Sequence, residues 1–328
     1  MQYIPEQAKL VKEAAKILGY EYADIDEGNG YLIKVKNGEQ QIFLSSGLVC
    51  RYPINSATSV GLASDKAHTA RILTSVGCPC IPGNHFFVTE SHIKLRNPGH
   101  EYADAIAYAE GLGYPVFCKP NRGSSGDFAE RIDSTLSLKK YIDRVKAKYE
   151  TVIIQHFVIG KEYRIFCFEK EVMFGYKKSP DVFVGDGILT IGEQVNQYNE
   201  MMKGTGISPI DRSNLMARLK TEGKDLSSIM AQGEILNVQH RANITAGGVV
   251  DDFSIHPPQA LSDLALQCAS TMNLRVCGVD IIDISQKGDL SNLMVIEVNG
   301  NPSLSSLIDT ERMSIAIDIW MRLLKGLL

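Results

Sequence analysis

Two carboxylates and one amide near the end of the chain could hold a divalent metal ion. Asp280 lies in the apolar run CGVDII, Glu297 and Asn299 lie in MVIEVN, and a polar turn around QKGD separates the two runs. Because strand side chains alternate, Glu297 and Asn299 share a face, and a hairpin register brings Asp280 across from them or diagonal to them. Three oxygen donors on one patch suit Mg²⁺. Alternatively, the carboxylates pair with Lys or Arg, since apolar neighbours require a cation in either case.

A lysine at the end of another apolar run could bind phosphate. Lys119 belongs to VFCKP, and the loop NRGSSG (121–126) follows almost at once. A lysine at a strand end projects a positive charge, and a turn rich in Gly and Ser can bring backbone N–H groups against phosphate oxygens. The spacing is neither a Walker A nor a G-x-G-x-x-G pattern, and such residues also form ordinary hairpin turns. Both interpretations therefore stay open.

The run QHFVIGKEYR, residues 155–164, leaves one apolar strand and enters the next across a glycine. Such a crossing is a natural hinge, and its backbone could offer N–H and C=O groups to an adenine edge, with Glu162 in reach of a ribose. The alternative is an interlobe linker with solvated charges.

The elements that must position these groups follow from apolar spacing. A helix is predicted from Pro5 to Gly19, and a hairpin with Asn37-Gly38 as its turn, so residues 1–60 read as a small α/β cap. Residues 61–158 read as an α+β lobe, in which a strand over 114–120 precedes a loop, a return strand, a helix and a further strand.

The remaining residues, 159–328, form a third predicted segment. It opens with a hairpin of EYRIFCF and EVMFGYKK, and it contains a helix over 258–272 and a final amphipathic helix. Between the hairpin and the helix over 258–272, residues 180–232 show weaker periodicity of apolar residues, so a long and partly mobile region is expected there.

Composition bounds the class of protein. The chain has 328 residues, 22% of them charged, with a formal net charge of −4. Lys and Arg are scattered, which disfavours binding to nucleic acid or to a membrane surface. The start lacks a leader pattern and no apolar run is long enough for a membrane span, so we expect a cytoplasmic protein. Most of the seven cysteines lie in apolar runs, which predicts reduced core thiols.

Six segments, taken in order, resemble the ATP-grasp superfamily, in the branch of cyanophycin synthetase and bifunctional glutathione synthetase, which is also similar to D-alanyl-D-alanine ligase. They run from about residue 55 to residue 306. They read TSVGLASDKAHTARIL, YPVFCKPNRGSSG, VIIQHFVIGKEYRIF, KKSPDVFVGDGILTI, RANITAGG, and GVDII with VIEVNGNPSL.

The resemblance implies an α/β ATP-grasp fold, with two α+β lobes gripping ATP beside the N-terminal α/β cap. It also implies roles for individual residues. The phosphate-binding positions would be Lys66, Lys119, Lys178 and the loop residues Ser124, Ser125 and Gly126. The adenine and ribose positions would be Gln155, His156, Val158 and Glu162. The magnesium ligands would be Asp280, Glu297 and Asn299.

This sequence departs from the branch at two places. Where the branch has an arginine before its N-x-S-T-G-G stretch, this chain has Gln239, and Arg241 follows on the same strand face. We therefore expect Arg241 to serve as the oxyanion donor; the alternative is an arginine that pairs with Asp251 or Asp252 at the edge of the sheet. The stretch after the metal ligands reads Pro302-Ser303-Leu304-Ser305 rather than Pro-Gly, so the branch's substrates do not carry over.

The implied activity is a carboxylate–amine ligase that activates an acid as an acyl phosphate with ATP and Mg²⁺, with two ions expected. Lys178 and Arg241 would assist catalysis. Amino acids or short peptides would be the substrates, and a homodimer is compatible with this reading. Two alternatives stay open: a small-molecule kinase of the same fold, and a non-catalytic ATP-binding regulator.

Overall fold

The computed structural model describes residues 4–46, 49–123, 126–179, 182–203, 209–210, 212–237, 249–308 and 311–328. The chain divides into two compact units, each assembled from segments that are distant in sequence. Unit 1 is Met1–Ile81, Arg164–Gly175 and Ser254–Leu328, and unit 2 is Pro82–Tyr163 and Tyr176–Phe253. The division into segments at residues 60 and 158 remains a prediction.

The helices and strands of the described residues are numbered in chain order. The helices are α1 (Glu6–Leu18), α2 (Ala57–Ala63), α3 (Lys66–Ser75), α4 (Tyr102–Leu112), α5 (Thr135–Val145), α6 (Ile191–Met201), α7 (Arg212–Thr221), α8 (Gln259–Thr271) and α9 (Met313–Leu327). The strands are β1 (Glu21–Asp24), β2 (Leu32–Asn37), β3 (Gln40–Ser45), β4 (Gly83–Phe87), β5 (Val116–Pro120), β6 (Glu130–Ile132), β7 (Thr151–His156), β8 (Lys161–Phe168), β9 (Glu171–Ser179), β10 (Val182–Val184), β11 (Ile235–Asn237), β12 (Val249–Ser254), β13 (Val276–Asp283) and β14 (Leu293–Asn299).

The N-terminal part of unit 1 combines helix α1 with the antiparallel sheet β1-β2-β3. Helix α1 buries one apolar stripe, packs against α9 and ends at Gly19 in the left-handed conformation (φ 71°). The predicted hairpin is present, but its turn is one residue later than expected. Asn37 pairs with Gln40, so Gly38 (φ 58°) and Glu39 form the turn.

The largest sheet has the strand order β12-β9-β8-β13-β14. Every residue of β13 is buried, which explains its continuous apolar run. In unit 1, aromatic rings pack beside this sheet: Tyr52 stacks on Trp320 with centroids 5.8 Å apart, and Phe166 stacks on Phe174 at 5.0 Å.

Unit 2 contains the antiparallel sheet β4-β7-β5-β6. One face of this sheet is covered by α4 and α5, and its core includes Val116, Cys118, Val152 and Ile154. The predicted order of strand, loop, strand, helix and strand is confirmed by β5, β6, α5 and β7.

The weak periodicity over 180–232 conceals regular structure, because helices α6 and α7 and strand β10 lie there among the described residues, whereas the expected mobility stays a prediction. Helices α6 and α7 pack with the two-stranded sheet β10–β11 around a separate apolar core. A capping box starts α6, because the Thr190 side chain accepts from the N–H of Glu193 and the Glu193 carboxylate accepts from the N–H of Thr190. Ile191, Val195 and Tyr198 of this helix are buried.

All seven cysteines lie in the described part of the chain and are free thiols, as predicted. Among the described residues, no helix combines the length and the apolar character needed to cross a membrane.

Candidate active site

The hairpin β13–β14 brings the three proposed metal ligands to one face. Asp280 pairs directly with Glu297, and Asn299 pairs with Gly278, two residues before Asp280. Asp280 therefore lies across from Glu297 and diagonal to Asn299, in the register expected from the alternation of side chains. The Asn299 Nδ2 atom donates to Glu297 Oε1 at 3.1 Å.

Asp280 is nearly inaccessible to solvent, at 2% exposure, and its charge is met by an arginine on the neighbouring strand. Arg164, on β8, donates from Nε to Asp280 Oδ1 and from Nη2 to Oδ2, both at 2.6 Å. The same guanidinium is 3.9 Å from Glu297 Oε1. A bidentate pair of this kind fixes both side chains.

Lys66 adds a second positive charge to the same face. It is the first residue of α3, and Asp65 caps this helix by accepting from the N–H of His68. Lys66 Nζ is 3.8 Å from Glu297 Oε2, and its side chain is 13% exposed. The structure thus places Lys66, Arg164, Asp280, Glu297 and Asn299 together within unit 1.

The oxygen donors of these side chains fit Mg²⁺. The structure also agrees with the alternative considered from sequence, in which the carboxylates pair with Lys or Arg. The described residues contain no cluster of three or more His, Cys, Asp and Glu side chains suited to a metal. A metal at this hairpin would have two carboxylates and the Asn299 amide as protein ligands, which is the sparse oxygen set that Mg²⁺ takes with phosphate and water. The carboxylates are at the same time paired with Arg164 and Lys66.

One asparagine ties the hairpin ends together. The Asn55 side chain donates to the carbonyls of Val276 (2.7 Å) and Gly300 (2.9 Å), and accepts from the N–H groups of Arg275 (2.9 Å) and Val276 (3.0 Å). It therefore connects the start of β13 with the residue that follows Asn299. This arrangement positions the candidate ligands without contacting them.

In unit 2, Lys119 and Gln155 lie on the same face of the four-stranded sheet. Lys119 pairs with Ile153 and Phe117 with Gln155, so the two polar side chains are diagonal neighbours, and each is 6% exposed. Gly83 pairs with Gln155 from the other side, and a Cβ on Gly83 would lie 2.6 Å from Gln155 Cβ. The glycine is needed there for the strands to approach each other.

The loop after Lys119 is described only in part. Ser124 and Ser125 lie outside the described residues, whereas Gly126 adopts φ 69°, which favours glycine. Asp127, the next residue, accepts from Tyr149 Oη at 2.8 Å and from Lys148 Nζ at 2.6 Å. The C-terminal end of the loop is therefore tethered to the segment before β7.

The other predicted nucleotide-binding residues of unit 2 lie on β7, β8 and β9 and in the connection between β7 and β8. His156 is exposed at the end of β7, while Val158, Glu162 and Lys178 are half-buried. Lys177 pairs with Asp251 at 2.7 Å; this hydrogen bond raises the pKa of Lys177 and lowers the pKa of Asp251. Since strand side chains alternate, Lys178 faces away from that pair.

Arg241, the proposed oxyanion donor, lies outside the described residues together with Gln239. The sequence predicts no role for Arg164 or Asn55 in the site. A signal for Arg164 was available, because a carboxylate flanked by apolar residues on both sides requires a cation nearby. No comparable signal marks Asn55, whose bonds join residues more than 200 positions apart.

Part of the chain matches a known family. Residues 228–325, which include all three candidate metal ligands, match the family described as the RimK-like ATP-grasp domain. The fold is similar to that of a bifunctional glutathione synthetase from Pasteurella multocida, with a TM-score of 0.62 and 20% identity over 99% of this chain and 45% of that one. The resemblance to ATP-grasp proteins is thereby confirmed.

Two curated relatives are similar in sequence. The glutathione biosynthesis bifunctional protein GshAB of Clostridium perfringens is 28% identical over 59% of this chain and 24% of its own length. The cyanophycin synthetase of Geminocystis herdmanii is 27% identical over 74% of this chain and 28% of its own length. The chain therefore spans about a quarter of the length of these relatives.

Proposed function

We propose that this protein is an ATP-dependent carboxylate–amine ligase, which forms an amide or peptide bond through an acyl phosphate. One observation carries the proposal: Asp280, Glu297 and Asn299 share one face of a hairpin that lies in the segment matching an ATP-grasp domain, and Lys66 Nζ is 3.8 Å from Glu297 Oε2. A relative named for glutathione biosynthesis and another named cyanophycin synthetase support the reaction class.

In the first step, a carboxylate oxygen of the acid attacks the γ-phosphorus of ATP, and ADP leaves. Lys66, Lys119 and Lys178 would bind the phosphates and neutralise the charge that develops. Asp280, Glu297 and Asn299 would hold Mg²⁺, which supplies further charge neutralisation when bound. Because this step depends on neutralising the charge of the phosphates, it needs no protein nucleophile.

In the second step, the amine nitrogen attacks the acyl carbon, the carbon–oxygen bond to phosphate breaks, and inorganic phosphate leaves. The tetrahedral oxyanion requires a positioned donor, and we assign this role to Arg241. Gln155, His156, Val158 and Glu162 would hold the adenosine, and the 121–126 loop would exclude water from the acyl phosphate. Amino acids or short peptides are the proposed acid and amine, and the cytoplasm is the proposed location.

A screen of amino acids and short peptides tests the proposal. We expect ATP-dependent release of inorganic phosphate only when an acid and an amine are both present, with ADP formed in equal amount. A kinase would form ADP and a phosphorylated product with a single substrate and release no phosphate. A non-catalytic regulator would bind ATP without turnover under every condition. Either result would contradict the ligase proposal.

Lys119 is the most buried of the proposed phosphate-binding lysines in unit 2. Lys119→Met should weaken the binding of ADP about ten- to a hundredfold, because a charge-assisted hydrogen bond is worth about 1.5–3 kcal/mol. Lys140→Met, an exposed lysine on α5 of the same unit, is the matched control. Titration calorimetry measures both affinities; equal affinities in the two variants would remove Lys119 from the nucleotide site.

A further inference from the structure

A small cavity in unit 1 has features that the proposed ligase chemistry does not use. Its volume is about 110 Å³, and it lies where the first turn of α1 meets the segment after β3 and the loop after β14. Its polar lining comes mainly from Glu6, Gln7, Ser46 and Arg51. None of the candidate metal ligands lines it, so the cavity is distinct from the hairpin site.

The Gln7 side chain is buried in this cavity, with no partner among the residues that the structure describes. Gln7 is 7% exposed, and among the described residues neither its Nε2 nor its Oε1 atom has a hydrogen bond. The buried Ser46 hydroxyl, on the same lining, also has no partner among them. Leaving such groups unsatisfied costs free energy, so the cavity calls for a polar occupant that both donates and accepts.

The same lining carries a positive helix end. The 13-residue helix α1 begins after Pro5 and has no side-chain cap. The first backbone bonds of the helix run from Ala8 and Lys9 to the Pro5 carbonyl, so the N–H groups of the two preceding residues are left for a ligand or for solvent. A helix N-terminus of this kind favours a carboxylate or another anion.

Two opposite charges complete the lining. Arg51 offers a guanidinium fork and Glu6 a carboxylate, and neither has an ion pair among the residues that the structure describes. An arginine and a helix N-terminus both recognise a carboxylate, whereas Glu6 and the Gln7 carbonyl recognise an ammonium group. The two charges therefore match a zwitterion better than they match a simple anion or cation.

The far wall of the cavity is apolar and rigid. Tyr52 and Trp320 are fully buried and stacked, and the Tyr52 hydroxyl donates to the carbonyl of Pro302 at 2.8 Å, so it is not left for a ligand. Burial raises the pKa of Tyr52, which keeps this wall uncharged. Water fills about 30 Å³ per molecule, so the volume equals that of three or four waters. This is the size of a molecule with only a few heavy atoms.

We propose that this cavity is a binding site for a small zwitterionic α-amino acid. The carboxylate binds to Arg51 and the N-terminus of α1, the ammonium group binds to Glu6, and the Gln7 amide bonds to the bound molecule. A substrate and an effector that is not consumed share this chemistry. The proposal does not rest on the ligase function, because binding requires neither nucleotide nor turnover.

Calorimetric titration of the full chain tests the site, with glycine, alanine and serine as probes and without ATP or Mg²⁺. We expect saturable binding of at least one of them. Gln7→Leu, which keeps the volume but removes the amide, and Arg51→Gln should each weaken it about tenfold or more. Gln41→Leu, an exposed glutamine on β3, should leave it unchanged. Acetate and methylammonium, which each carry one of the two charges, should bind more weakly than the amino acid.

Absence of saturable binding by all three amino acids would overturn the proposal and assign the cavity to water. Equal binding by wild type, Gln7→Leu and Arg51→Gln would overturn it too, and thermal unfolding confirms that each variant is folded. If one variant does not fold, the other still decides. Mass spectrometry after turnover with ATP distinguishes the two sources of ligand, since a substrate is consumed and an effector is recovered intact.

Discussion

Glu297→Gln is expected to lower ATP turnover about a hundred- to a thousandfold while leaving the fold intact. A bound metal contributes several kcal/mol to charge stabilisation in phosphoryl transfer, and each 1.4 kcal/mol is about tenfold in rate. The fold should be kept because the nearest cations, Lys66 and Arg164, are 3.8 and 3.9 Å away, and the new amide can still accept from Asn299. The measurements are steady-state turnover and the thermal midpoint.

Glu171→Gln is the matched control, since Glu171 lies in the same sheet and pairs with Arg322 on an exposed surface. It should keep wild-type turnover. Adding Mg²⁺ with ADP should raise the thermal midpoint of the wild type and of Glu171→Gln, but not that of Glu297→Gln. Wild-type turnover and an unchanged Mg²⁺ response in Glu297→Gln would remove this residue from the proposed metal site.

Arg164→Met is expected to destabilise the protein by about 3–5 kcal/mol, because it leaves a buried carboxylate without its partner. The Asp280 side chain is 3% exposed and Arg164 binds both of its oxygens. Since the unpaired charge causes the loss, the double variant Arg164→Met with Asp280→Asn should recover much of the stability. If Asp280 also ligates Mg²⁺, adding Mg²⁺ should stabilise Arg164→Met more than the wild type.

A second arginine in unit 1 provides the control. Arg275 also pairs with a carboxylate, Glu169, but its side chain is 53% exposed. Exposed ion pairs contribute about 0–1 kcal/mol, so Arg275→Met should change stability little. Urea unfolding measures the free energy of unfolding of both variants. A loss in Arg164→Met no larger than that in Arg275→Met would show that the buried pair does not stabilise the hairpin.

The local geometry of the hairpin was predictable from sequence, and its surroundings were not. Glu297 and Asn299 share a face because strand side chains alternate, and the short polar turn sets the register with Asp280. Arg164 reaches Asp280 only because β8 lies beside β13, a pairing between residues 116 positions apart in sequence. Local periodicity does not specify such a long-range neighbour.

Residues 180–232 show a different limit of prediction from sequence. Helix α6 was missed although T-x-x-E at Thr190 and Glu193 is a helix start, because glycine-rich segments on both sides obscured a helix of only 11 residues. Its buried face packs on the small sheet β10–β11 rather than on the larger sheets. A helix whose partner is equally short gives a weak pattern when it is read alone.

The central claim is that an acyl phosphate joins the acid to the amine, and transfer of oxygen from acid to phosphate tests it most directly. The acid is supplied with ¹⁸O in both carboxylate oxygens, together with ATP, Mg²⁺ and the amine. In the proposed mechanism the attacking oxygen stays on phosphorus when the amine displaces it, so inorganic phosphate should carry one ¹⁸O and the amide the other. Unlabelled phosphate, or label in AMP with release of pyrophosphate, would contradict the account.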